Sequence, residues 1–171
     1  MNIPAAFAVA LGLACACPGL GCGKADSPGA SVPEDCRKWL DAYFDALKSK
    51  DVAKVQDLCA RVSARIADML PAEGAETVRG QQRETTAGLL GKIAQDLGDF
   101  RSYAVESCRE TVIPADDPMA NALGEGRHIE ILLATRYSKR NARERFVLSK
   151  GPRDAEFIVE AYSVVRERDR R

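Results

Sequence analysis

The hydrophobic period of this chain changes once, near Phe100, and that single change limits the folds open to it. Upstream, Cys36, Trp39, Leu40, Tyr43, Phe44 and Leu47 recur three and four residues apart, the spacing of an amphipathic helix. Arg37 with Asp41 and Asp45 with Lys48 fall on its wet side, where such pairs support a solvated face. Asp51 is a good N-cap for a second helix carrying Val52, Val55, Leu58, Cys59, Val62, Ile66 and Leu70 up to Pro71. A third is expected from about Glu76 to Leu97, weakened by Gly80, Gly88 and Gly91 and closed by Gly98, a residue type that suits a helix C-cap.

Downstream the period is two. Ile129, Ile131, Leu133, Thr135 and Tyr137 alternate with His128, Glu130, Leu132, Ala134 and Arg136, the pattern of a half-buried antiparallel strand. Phe157, Val159, Ala161, Ser163 and Val165 make a second file, alternating with Glu156, Ile158, Glu160, Tyr162 and Val164. Between these strands lies Arg143 to Lys150, bounded by Arg140-Asn141 and Gly151-Pro152, so both connections read as hairpins. Arg101 to Ile113 is the fourth strand, set apart by the loop PADDPMANALGEG. Helices first and antiparallel strands afterwards predict an α+β domain, with the helices on one face of a sheet of about four strands.

The size of the chain leaves room for little else: 171 residues and 18.5 kDa suit one domain and a short extra segment. Lys plus Arg number 25 and so do Asp plus Glu, so no basic excess is present to neutralise phosphates and nucleic acid is not an expected partner. One histidine, His128, is too few for a histidine-built metal site, and the six cysteines at 15, 17, 22, 36, 59 and 108 form no paired CxxC grid. No metal and no cofactor is expected.

The extra segment is an address. No charge precedes Lys24, and IPAAFAVALGLACAC runs apolar from Ile3 to Cys17 before Pro18, Gly19, Gly21 and Gly23. A spanning helix needs about 20 apolar residues, and a shorter run closed by small residues is the mark of a secretory signal peptide. Within it, Gly19-Leu20-Gly21-Cys22-Gly23 resembles a bacterial lipobox, with Ala14-Cys15-Ala16-Cys17 as a second candidate. Cys22 or Cys17 would then carry the lipid. The expected organisation is a signal peptide over 1–22, a Gly/Pro/Ser-rich linker over 23–33, a folded domain over 34–166 and a charged tail over 167–171. The expected location is the cell envelope or periplasm, with attachment to the membrane through that lipid.

The segments CRKWLDAYFDALKSKD, a third helix ending in LGDF, a long strand, GRHIEILLATRYS, RERFVLSKG and AEFIVEAYSVV follow one another in an order that resembles the nuclear transport factor 2-like, or cystatin-like, cone superfamily. More narrowly, they resemble its small exported bacterial domains. The likeness spans about residues 34 to 166 and rests on element order and hydrophobic pattern. It implies three helices wrapped by a curved antiparallel sheet, with a pocket between them. Members range from isomerases and dehydratases to binding modules, so the fold alone does not define a function. Cone enzymes commonly place an Asp, His or Tyr in the pocket, and the alternation of the strands predicts no acid there.

Candidate residues follow from strand alternation. His128 and Glu130 share a face, but it is the face opposite Ile129, Ile131 and Leu133, so a surface pair is expected rather than an acid–base dyad. If Tyr103 and Val105 face the core, Ser107 and Arg109 share their side and, with Thr135, Tyr137 and Ser163, line the mouth of the cone as a site for a small anion. The competing reading pairs Arg109 with Glu106, Glu110 or solvent. Cys36 and Cys59 lie on the apolar faces of consecutive helices, either bridged or as two buried thiols, whereas Cys108 is expected on the opposite sheet face. Leu132, Ala134, Ile158, Tyr162 and Val164 would make the outer face apolar enough for a homodimer. The function expected is a non-catalytic exported module that binds a small ligand or an envelope protein. The alternative is a small cavity enzyme of isomerase or hydrolase type, which requires an inward acid.

Overall fold

Helix α1 (Glu34–Ser49) forms where the first apolar stripe predicts it, with Glu34 and Asp35 in its first turn and Lys48 in its last, charges that complement the helix dipole. Lys50 closes it in the left-handed conformation. The computed structural model describes residues 31–61 and 64–166, so the proposed signal segment, Cys17, Cys22, most of the linker and the tail from 167 lie outside the described residues. The folded unit begins slightly earlier than expected, since Val32 is already packed into the core.

Asp51 caps α2 (Val52–Cys59) by accepting the Lys54 amide at 3.0 Å. The expected single helix up to Pro71 is divided: α2 ends at Cys59, and a short α3 (Ala64–Met69) follows. Arg61, in the break between them, is ion-paired with Glu156 before β4. Helix α4 (Ala72–Leu97) starts directly after Pro71 and ends at Gly98. At φ +87°, with a Cβ that would sit 2.2 Å from the Ser138 Oγ, Gly98 has room for no side chain. Four helices therefore precede the sheet among the described residues, in place of the expected three.

The sheet comprises β1 (Phe100–Ile113), β2 (Gly126–Tyr137), β3 (Asn141–Lys150) and β4 (Ile158–Arg166), paired antiparallel in the order β1-β2-β3-β4. A four-residue helix, α5 (Ala120–Leu123), interrupts the long loop after β1. The fold is α+β. Ile129, Ile131, Leu133, Thr135 and Tyr137 of β2 all point at the helices, as strand alternation predicts. Phe146 packs edge-on to Trp39 and Tyr43, and Phe44 stacks on Phe100 and Tyr103. A buried phenylalanine of this kind contributes about 3–5 kcal/mol against truncation to alanine. Leu90 of α4 joins the same core, and Ile93 and Leu97 pack on Tyr137 and Ala142.

Two β-bulges overturn the expected parity elsewhere. On β1, Val105 pairs with Leu133 but Ser107 pairs with Leu132, leaving Glu106 as the extra residue. On β4, Ala161 pairs with Val147 but Val159 pairs with Leu148, leaving Glu160 extra. An inserted residue exchanges the two faces for everything beyond it. Cys108 therefore turns to the helix face and packs against the core, while Ser107 and Arg109 turn outward and are exposed. Tyr162 and Val164 turn inward as well, and Ala161, Ser163 and Val165 turn out. The outer face thus exchanges Tyr162 and Val164 for Ala161 and Val165, and it carries the cross-strand ion pairs Arg143–Glu106 and Arg145–Glu130.

Candidate functional site

An acid does face the helices. Glu144 of β3 is two residues before the buried Phe146 and is itself 0% exposed. Its Oε1 accepts from the Tyr137 hydroxyl at 2.6 Å and its Oε2 from the Tyr162 hydroxyl at 2.6 Å. Tyr43 of α1 lies beside Tyr162, with ring centroids 6.3 Å apart. Burial raises the pKa of the Glu144 carboxyl, against the two tyrosine hydrogen bonds that favour its charged form. Burial likewise pushes the Tyr43, Tyr137 and Tyr162 hydroxyls up, with the Glu144 charge adding to it. This group combines a proton donor-acceptor carboxyl with three phenols, but both carboxyl oxygens are already occupied.

The other end of the sheet is built from full charges. Arg127, on the inward file of β2 beyond Ile129, donates through Nη1 to Asp35 of α1 at 2.5 Å and through Nε to Glu110 of β1 at 2.5 Å. The guanidinium lowers the pKa of the Asp35 carboxyl, chiefly by that hydrogen bond. Beside it, Arg127 and Lys150 both approach the Phe157 ring at 5.6 Å, a cation–π arrangement. An open cleft of about 420 Å³ adjoins this cluster, walled by Ile113, Pro114 and Ala115 after β1, by Glu125 to Arg127, and by Lys150, Gly151, Pro152 and Asp154. Gly126 permits this corner: at φ +120°, any Cβ there would meet the Lys150 carbonyl oxygen at 2.4 Å.

The five residues expected at a common mouth are not brought together. Thr135 and Tyr137 are inward but within the packed core, where the Thr135 Oγ1 donates to the Ala142 carbonyl at 3.1 Å and Tyr137 serves Glu144. Ser107, Arg109 and Ser163 lie on the outer face because of the two bulges. His128 is half-buried on that outer side with its Nε2 3.0 Å from the Gly124 carbonyl, and Glu130 is paired with Arg145. Glu144 is the residue that sequence reasoning missed. Its signal was present, since a strand whose Phe146 and Leu148 face the core must also turn Glu144 inward.

Cys36, Cys59 and Cys108, the first two weighed either as a bridge or as two buried thiols, are free thiols in this structure. Burial pushes both Cys36 and Cys59 up to about 12, so neither is a ready nucleophile.

Among the described residues, no group of three or more His, Cys, Asp or Glu is placed to hold a metal ion, and no helix is long and apolar enough to cross a membrane. No family model, no curated protein and no solved structure matches the chain.

Proposed function

We propose that this chain is an exported, lipid-tethered module of the nuclear transport factor 2-like cone type that binds a small polar ligand in the cleft beside Arg127 and Lys150 and performs no reaction on it. The observation that carries the reading is the contrast between the two inward groups. Glu144 is sealed with each oxygen already accepting a hydrogen bond from a tyrosine, whereas the 420 Å³ cleft is open to solvent. Its volume lies within the range of small-ligand sites, about 300–1,000 Å³. Glu125 and Lys150 both line it, so a carboxylate and an ammonium border the same opening and a zwitterion such as a free amino acid has the complementary chemistry. The export and the tether rest on the apolar run Ile3 to Cys17 and on the cysteines at 17 and 22.

The test is a thermal-shift and chemical-shift titration with a panel of free amino acids on the wild type, on Ala115→Trp, which fills the cleft, and on Glu144→Gln. Saturable binding to the wild type and to Glu144→Gln, lost in Ala115→Trp, is the expected result. No response from the wild type to any amino acid, or binding that survives Ala115→Trp, overturns it.

Glu144 itself favours a second reading, a small cavity enzyme. A carboxyl whose pKa is raised by burial, beside Tyr137 and Tyr162, has the composition of a proton-transfer group. A substrate would have to displace a tyrosine from it. Binding lost in Glu144→Gln but kept in Ala115→Trp would favour that reading over the first.

A further inference from the structure

The bulge at Glu106 has a chemical consequence at the first turn of α1. It moves Cys108 from the outer face of β1 to the helix side, where Cys108 packs against the same core that buries Cys36. The two elements are clamped at this point, because the Arg127 guanidinium holds Asp35, the neighbour of Cys36, and Glu110, the next inward residue after Cys108. One guanidinium thus fixes the chain beside both thiols. We propose that Cys36 and Cys108 form a disulfide that ties α1 to β1 when the protein matures in an oxidising compartment. Cys59 packs against the same core from α2, but among the described residues no ion pair ties its neighbours to the Cys36 turn in the way Arg127 ties Glu110 to Asp35.

The chemistry is thiol–disulfide exchange with an oxidised dithiol catalyst or glutathione disulfide. The Cys108 thiolate, on the half-exposed edge strand, attacks the partner's disulfide and expels one partner thiolate. Cys36 then gives up its proton and attacks the Cys108 sulfur, expelling the second partner thiolate. The two cysteines lose two protons and two electrons, and the partner leaves reduced. Because burial holds Cys36 near 12 in the folded state, the second step belongs to the stage at which α1 docks, before the thiol is covered. This inference rests on the export proposed above but not on the ligand, since it concerns a different bond; refolding in a redox buffer tests the bridge whether or not the chain is exported.

The full chain, reduced and unfolded in guanidinium, is refolded in a glutathione/glutathione disulfide buffer, alkylated and digested with trypsin. The peptide 25–37, which carries Cys36, is expected joined to peptide 102–109, which carries Cys108, while peptide 55–61 carries an alkylated Cys59. Joining of 25–37 to 55–61 or to the amino-terminal peptide 1–24, or alkylation of both Cys36 and Cys108, overturns the proposal. A second readout uses the 73 residues from Cys36 to Cys108 that the bridge encloses. Reductant should lower the melting temperature of the oxidised wild type by roughly 10 °C and leave the Cys36→Ala/Cys108→Ala double variant unmoved; equal effects on both proteins overturn it.

Discussion

The two ends of β2 solve the problem of an inward acid in opposite ways. At the Tyr137 end, Glu144 is fully buried among neutral phenols and its pKa is raised. At the Arg127 end, Asp35 keeps part of its surface in water, faces a guanidinium and has its pKa lowered. The difference shows what burial and charge pairing each do. A sealed carboxylate relies on hydrogen bonds that no water can replace, whereas a half-exposed ion pair is backed by solvent and contributes little. The first corner is consequently the more costly to disturb, and the second is the more open to an arriving ligand.

Replacement of Glu144 by alanine should give the largest loss, about 2–5 kcal/mol, because it opens a cavity and leaves the Tyr137 and Tyr162 hydroxyls without their acceptor; chemical denaturation measures it, and a loss under 1 kcal/mol would remove the distinction between the corners. Tyr162→Phe strips one of the two donors from the buried carboxyl and should cost about 1–3 kcal/mol. By the same measurement Asp35→Asn should cost less than about 1 kcal/mol, a value already reduced for the exposure of the pair, and the loss should shrink in high salt. An Asp35→Asn effect larger than that of Tyr162→Phe would reverse the comparison.

The subtlest contrast is in pH. The pKa of Glu144 is raised by folding, so its contribution is fully present below the unfolded value of 4.5 and is lost as pH rises through the folded value. Asp35 is lowered by folding, so its contribution is present above 3.8 and is lost as pH falls through the folded value. Melting temperatures recorded from pH 2 to 8 should show Glu144→Gln flattening the decline on the alkaline side and Asp35→Asn flattening the loss on the acid side. Profiles that change on the same side in both variants would contradict these assignments.

Much of this architecture is legible in the pattern of residues. The stripe from Cys36 to Leu47 becomes α1, Asp51 and Gly98 cap the helices expected of them, and the alternation from Ile129 to Tyr137 places the inward residues of that stretch of β2. These signals are strong because each contrasts apolar with polar positions. On β4 the contrast is absent: Val159 and Val165 stand in one file and Ile158, Tyr162 and Val164 in the other, so either face would serve as the core. Glu144 was concealed for a different reason, since a charged residue in a strand is ordinarily read as solvent-facing, and only Tyr137 and Tyr162, brought from two other strands, make its burial tolerable.

Local sequence therefore decided the kinds of element, their order and the parity of β2, all of which follow from side-chain spacing within one segment. Tertiary structure decided the rest: where α2 breaks, which side of β1 and β4 faces the helices, and hence that Cys108 joins the core that buries Cys36 and that two tyrosines meet Glu144. The physical reason is register. A bulge is set by the fit of one strand to its neighbour, and a single inserted residue exchanges the two faces of everything beyond it.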